Sequence, residues 1–74
     1  MAEGFIHTVF KDGHWVNEVE GGGEPIGGFH ATKDEAVSAG RARAEHDRTE
    51  HVIHNEDGTI GERSSYGHDP AGRG

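Results

Sequence analysis

Cysteine is absent from the chain, so neither a disulfide framework nor a thiolate metal site can support it, a pattern that fits a reducing compartment. Long hydrophobic runs are missing too: nothing approaches the roughly 20 apolar residues of a membrane-spanning helix. The opening Met1-Ala2-Glu3-Gly4-Phe5-Ile6-His7 lacks the basic flank and apolar stretch of an export signal. A cytoplasmic protein is expected, with no membrane partner. Basic residues are scarce, seven against fourteen acids, and the net charge of −7 with neutral histidines repels phosphate backbones at long range. Large side chains are few as well. With 74 residues, 30% of them hydrophobic, the chain is a single domain, near the size at which one core supplies only about 3–5 kcal/mol. Burying more surface against a second copy is the expected remedy.

What is present reads as five strands and one helix. Phe5 to Phe10 alternates with Ile6, Thr8 and Phe10 on one face and Phe5, His7 and Val9 on the other. Lys11-Asp12-Gly13-His14 is a turn, and Trp15 to Glu20 returns with Trp15, Asn17 and Val19 on one side. Gly21 to Pro25 is a loop, and Ile26 to His30 a short third strand, at an edge or bulged because Gly27 and Gly28 weaken it. Thr32-Lys33-Asp34-Glu35 fits a capping box that opens a helix from Lys33 to about Arg48. Its inner stripe is Ala36, Val37, Gly40 and Ala44, side chains small enough for a close approach to the sheet, with Trp15, Phe10 and Phe29 expected to fill the space beneath.

Glu50 to Asn55 and Thr59 to Arg63 form a second hairpin around Asp57-Gly58, a type I′ turn signal. Val52 and His54 share one side of its first strand, His51 and Ile53 the other. The fold class is therefore α+β: an antiparallel sheet of four to five strands with one helix packed on one face, in the order β-β-β-α-β-β. Residues 1–66 make the domain, and residues 67–74 a C-terminal turn and flexible tail.

The motifs W-V-N-E-V-E-G (Trp15 to Gly21), T-K-D-E-A-V (Thr32 to Val37), H-V-I-H-N-E-D-G-T-I (His51 to Ile60) and S-Y-G-H-D-P (Ser65 to Pro70) resemble the DUF2188 family of small bacterial proteins. The resemblance runs from His7 to Pro70. It implies a small soluble bacterial protein and brings no activity, cofactor or catalytic residue with it. The glycines at Gly21 to Gly23 make a longer insert than that family's pattern and leave the third strand's register open. Trp15 to Ala36 is also similar to the β-β-β-α DNA-binding domains of phage-type integrases, but those present basic strands to DNA, and this hairpin carries Glu18, Glu20 and Glu24.

Chemistry is weakly signalled. His51 and His54 fall on opposite faces of one strand and cannot share an ion. The serines, histidines and Asp69 have no nucleophile elbow to present them. No catalytic, cofactor-binding or metal-ligating residue is assigned, and no enzyme, cofactor or small-molecule substrate is expected. The interaction candidates are Tyr66, His68 and Asp69, with Trp15 or His54 nearby. The expected function is a non-enzymatic binding or accessory module acting through protein contacts, as a homodimer or with another protein. The alternative is a nucleic-acid-associated protein using a basic strip of Arg41, Arg43 and Arg48 on the helix.

Overall fold

A computed structural model describes residues 4–22 and 24–67. Strand β1 (Ile6–Lys11) turns through Asp12 and Gly13, both at positive φ (53° and 86°), into β2 (His14–Val19). Strand β3 (Pro25–His30) follows, then helix α1 (Lys33–Asp47), then β4 (Glu50–His54) and β5 (Ile60–Ser65). They build one five-stranded sheet in the order β3-β2-β1-β4-β5. The expected α+β fold, with its β-β-β-α-β-β order, is present.

The sheet is mostly antiparallel, but its central pair, β1 and β4, is parallel. The helix explains this departure from a purely antiparallel layout. Fifteen helical residues rise about 22 Å, as far as a six-residue strand extends. The helix therefore returns the chain to the end of the sheet from which β1 and β3 set out, and β4 must run with them. It settles beside β1 because β3 is a poor neighbour: Pro25 offers no N–H, and Gly27 and Gly28 sit at φ 77° and 79° in an irregular stretch opposite Val16 and Asn17.

The helix opens as its capping sequence dictates. Thr32 Oγ1 accepts from the Glu35 amide at 3.2 Å, and Asp34 and Glu35 stand at the positive end of the dipole. It ends at Arg48, which adopts the left-handed conformation (φ 56°) while its N–H donates to the carbonyls of Ala44 and Glu45. A residue with a Cβ is disfavoured there. Arg48→Gly is expected to stabilise the fold by about 0.5–1 kcal/mol, a gain of a few degrees in Tm; a melt showing no gain or a loss would mean that the arginine side chain makes up for the strain.

The second hairpin differs from its expected turn. Asp57 is not at positive φ; only Gly58 is, at 93°. The Gly58 amide donates to Asn55 O, and Asp57 Oδ1 accepts from both the amide and the hydroxyl of Thr59 at 3.0 and 2.7 Å. The Asp57 side chain thus holds a longer turn than the two-residue type I′ form, which would need Asp57 itself in the left-handed region.

Among the described residues only one face of the sheet is covered. Helix α1 packs on β1 to β4 and turns Ala36, Gly40 and Ala44 inward, all buried. Beneath them lie Ile6, Thr8, Trp15, Asn17, His51 and Ile53. Phe10 stacks on Trp15 with ring centroids 5.1 Å apart, and the Lys33 ammonium sits 5.4 Å from the centre of a Trp15 ring. Phe29 departs from the expectation. It pairs with Val16 on the opposite face and is 67% exposed. The space beneath Gly40 is filled by polar side chains instead.

Candidate functional site

Thr8, Asn17 and His51 come from three different strands, are each at most 1% exposed, and meet under Gly40. Asn17 Nδ2 donates to the Ala36 carbonyl at 2.9 Å, which turns its Oδ1 toward Thr8. A carbonyl oxygen only accepts, so the Thr8 hydroxyl donates to Asn17 Oδ1 at 2.5 Å and must itself accept from His51 Nε2 at 2.7 Å. His51 therefore carries a proton on Nε2. Burial, with Arg41 adding to it, pushes its proton affinity below the ordinary imidazole value. The cluster is closed off from water and binds the helix to the sheet. It has no access for a ligand.

Among the described residues no helix lies on the other face. Alternation places Phe5, His7, Val9, Val16, Phe29, Val52, His54 and Ile60 there. The three exposed large hydrophobics among the described residues, Phe5, Phe29 and Ile60, all belong to this face. Phe29 is stacked on His14 with centroids 4.6 Å apart. Val16 and Val52 are buried between their neighbours even without a covering layer. Charged side chains pair off across the same surface: Lys11 with Glu18 at 2.7 Å and Arg63 with Glu50 at 2.6 Å. The result is an apolar and imidazole surface crossed by neutralised ion pairs.

On the helix side, a groove of about 310 Å³ between α1 and the β4–β5 hairpin is lined by Lys33, Asp34, Val37, Ile53, Asn55 and Glu62. Among the described residues no histidine lines it. Among the described residues no three His, Asp or Glu side chains are placed together to hold a metal ion, and no helix is long and apolar enough to cross a membrane.

The model of a family described as "Uncharacterized protein conserved in bacteria (DUF2188)" matches residues 6–66. The chain belongs to the DUF2188 family. No curated protein and no solved structure matches it. The DUF2188 match runs from the start of β1 to Tyr66, so it covers both faces of the sheet and singles out neither.

Within this DUF2188 domain the interaction candidates do not converge. Trp15 is 6% exposed and lies under the helix, while His54 faces the other way, part of the uncovered surface. Tyr66 is half-buried at the helix exit, where its amide donates to Thr49 O at 3.2 Å. Gly67 is pressed so closely on the Arg48 carbonyl that a Cβ would overlap it. That geometry is a seal on the end of the helix. His68 and Asp69, like the rest of residues 68–74, lie outside the described residues. Of the basic strip, Arg43 is held by Asp47 at 2.7 Å, and Arg41 and Arg48 are exposed.

Sequence reasoning passed over His7, Phe5, Phe29 and Ile60 as surface residues. The signal was available in the alternation of β1, which sets His7 beside Phe5 and Val9, away from the helix stripe.

Proposed function

We propose that this DUF2188 protein is a non-enzymatic binding module that works through protein contacts, and that its uncovered sheet face is the docking surface for a second copy of the chain. The observation that carries the reading is the collection of Phe5, Phe29 and Ile60, all exposed, on the one face that the helix leaves bare. A further argument is energetic. The buried hydrophobic core among the described residues consists of seven side chains, two of them alanines, and Val16 and Val52 already belong to the bare face. A core that small leaves little net stability, and closing a second layer over the same valines adds burial at about 25 cal/mol per Å² of apolar surface.

Charge sets the affinity expected. Two copies at −7 repel one another, so the association is weak at low salt and strengthens as salt screens the repulsion. Sedimentation equilibrium across a wide concentration range should show a monomer–dimer equilibrium shifted toward dimer by added salt. Phe29→Glu is expected to weaken the dimer at least tenfold while leaving the thermal transition in place, since Phe29 supports little of the core. A monomer at every concentration and salt level would refute the self-association reading.

The second reading, nucleic acid on the helix arginines, has less support: Asp47 engages Arg43, and the surrounding charge is negative.

A further inference from the structure

On the uncovered face four groups lie in a line. Glu20 Oε1 is 2.9 Å from His7 Nε2, His7 Nδ1 is 2.9 Å from His54 Nε2, and His54 Nδ1 is 3.3 Å from the Gly58 carbonyl oxygen. The two rings are tilted 34° with centroids 5.1 Å apart. Both ends of the line only accept: a carbonyl oxygen at Gly58 and a carboxylate at Glu20. His54 must therefore carry a proton on Nδ1, and His7 one on Nε2. Those two protons use up what two neutral imidazoles possess. The remaining nitrogens, His7 Nδ1 and His54 Nε2, would then face each other at 2.9 Å with a lone pair each, which is repulsive. Three links need three protons.

We infer that His7 and His54 share one additional proton, so that the pair is a single-proton binding site held against the Glu20 carboxylate, and that the uncovered face gains one positive charge when the site fills. Uptake takes the proton from water, places it between the two rings, and lets the pair serve as counter-ion to Glu20. Loss of that proton breaks the central link and sets the rings apart.

Among the described residues the surroundings leave Glu20 as the partner. Glu18 stands opposite His7 on β2 but is engaged by Lys11. On β4, Glu50 is engaged by Arg63 from β5. Val52 faces His7 and Ile60 faces His54, both apolar. His14 is stacked on Phe29, Glu56 and Asp57 belong to the exposed turn beyond His54, and no helix contributes a charge to this side. An array of this kind titrates as one unit, not as two independent imidazoles.

Imidazole nitrogen resonances of ¹⁵N-labelled protein, followed through a pH titration, test this. His7 should keep its proton on Nε2 and His54 on Nδ1 throughout. The two rings should respond together in a step that takes up one proton for the pair. His54→Gln should abolish the shared step and move the His7 titration, and Glu20→Gln should move the step to lower pH. Either ring in the opposite tautomer, or two separate steps with the His7 curve unmoved by His54→Gln, would overturn the inference. Because every readout comes from the folded chain itself, the result stands whether or not the face also binds a second copy.

Discussion

Gly40→Leu is expected to abolish the cooperative thermal transition near ambient temperature. A single Cβ at this position would stand 2.5 Å from Asn17 Oδ1, 2.6 Å from His51 Nε2 and 2.9 Å from Thr8 Oγ1. None of these atoms can swing away cheaply, because Thr8 is hydrogen-bonded to both of the others and Asn17 is also tied to Ala36. Ala in place of Gly gains about 1 kcal/mol of helix propensity. Overpacking costs about 1–3 kcal/mol, and each buried polar group left without its partner adds about 1–3. Even Gly40→Ala should thus lose stability on balance, and the leucine variant should exceed the roughly 3–5 kcal/mol available to a domain of this size. Circular dichroism melts of the two variants check it: a leucine variant melting like the parent would show that the helix does not rest on this cluster.

Acidification from pH 7 to pH 5 is the second expected loss. His51 is neutral in the fold, with its proton affinity lowered from the ordinary 6.5 by burial and by Arg41. The unfolded chain binds the proton more readily. Above about pH 6.5 neither state is protonated there and the stability is fully present. Below it, the unfolded state takes up its proton first, and stability falls by at most about 1.4 kcal/mol per pH unit until the folded state is protonated as well. Asp47 and Asp57, held below the usual carboxylate range by hydrogen bonds from His46, Arg43 and Thr59, keep their contribution throughout this range and lose it only in the more acid window below about 3.8. The remaining titratable groups are common to the parent and to a single-site variant. The clean readout is therefore the difference between parent and His51→Gln, in which a side-chain amide replaces the ring as donor to Thr8. Urea titrations at several pH values should show the gap between the two narrowing as pH falls from 7 to 5. A constant gap would mean that burial does not govern the protonation of His51.

The fold was largely readable because local rules agreed with one another. The Thr32 cap, the Ala36–Gly40–Ala44 stripe and the alternation in β1, β2 and β4 each depend on neighbours three or four residues away at most. Non-local features were not readable in the same way. The parallel pairing of β1 with β4 follows from helix length and from the blunted edge of β3, which no local pattern states. Phe29 was expected beneath the helix because large aromatics ordinarily fill the space left by small residues. Instead three polar residues, Thr8, Asn17 and His51, meet there and are linked through the Thr8 hydroxyl. The candidate surface was half readable: His54 was singled out by sequence, whereas Phe5, His7, Phe29 and Ile60 become a surface only once β1, β3, β4 and β5 are laid side by side.

Amide chemical shifts recorded through a dilution series test the docking face most directly, because they locate the contact as well as detect it. Shifts confined to Phe5, His7, Val9, Val16, Phe29, Val52, His54 and Ile60, with the outer residues of α1 unmoved, are the predicted result. Concentration-dependent shifts on Arg41 and Arg43, with the sheet face silent, would contradict it.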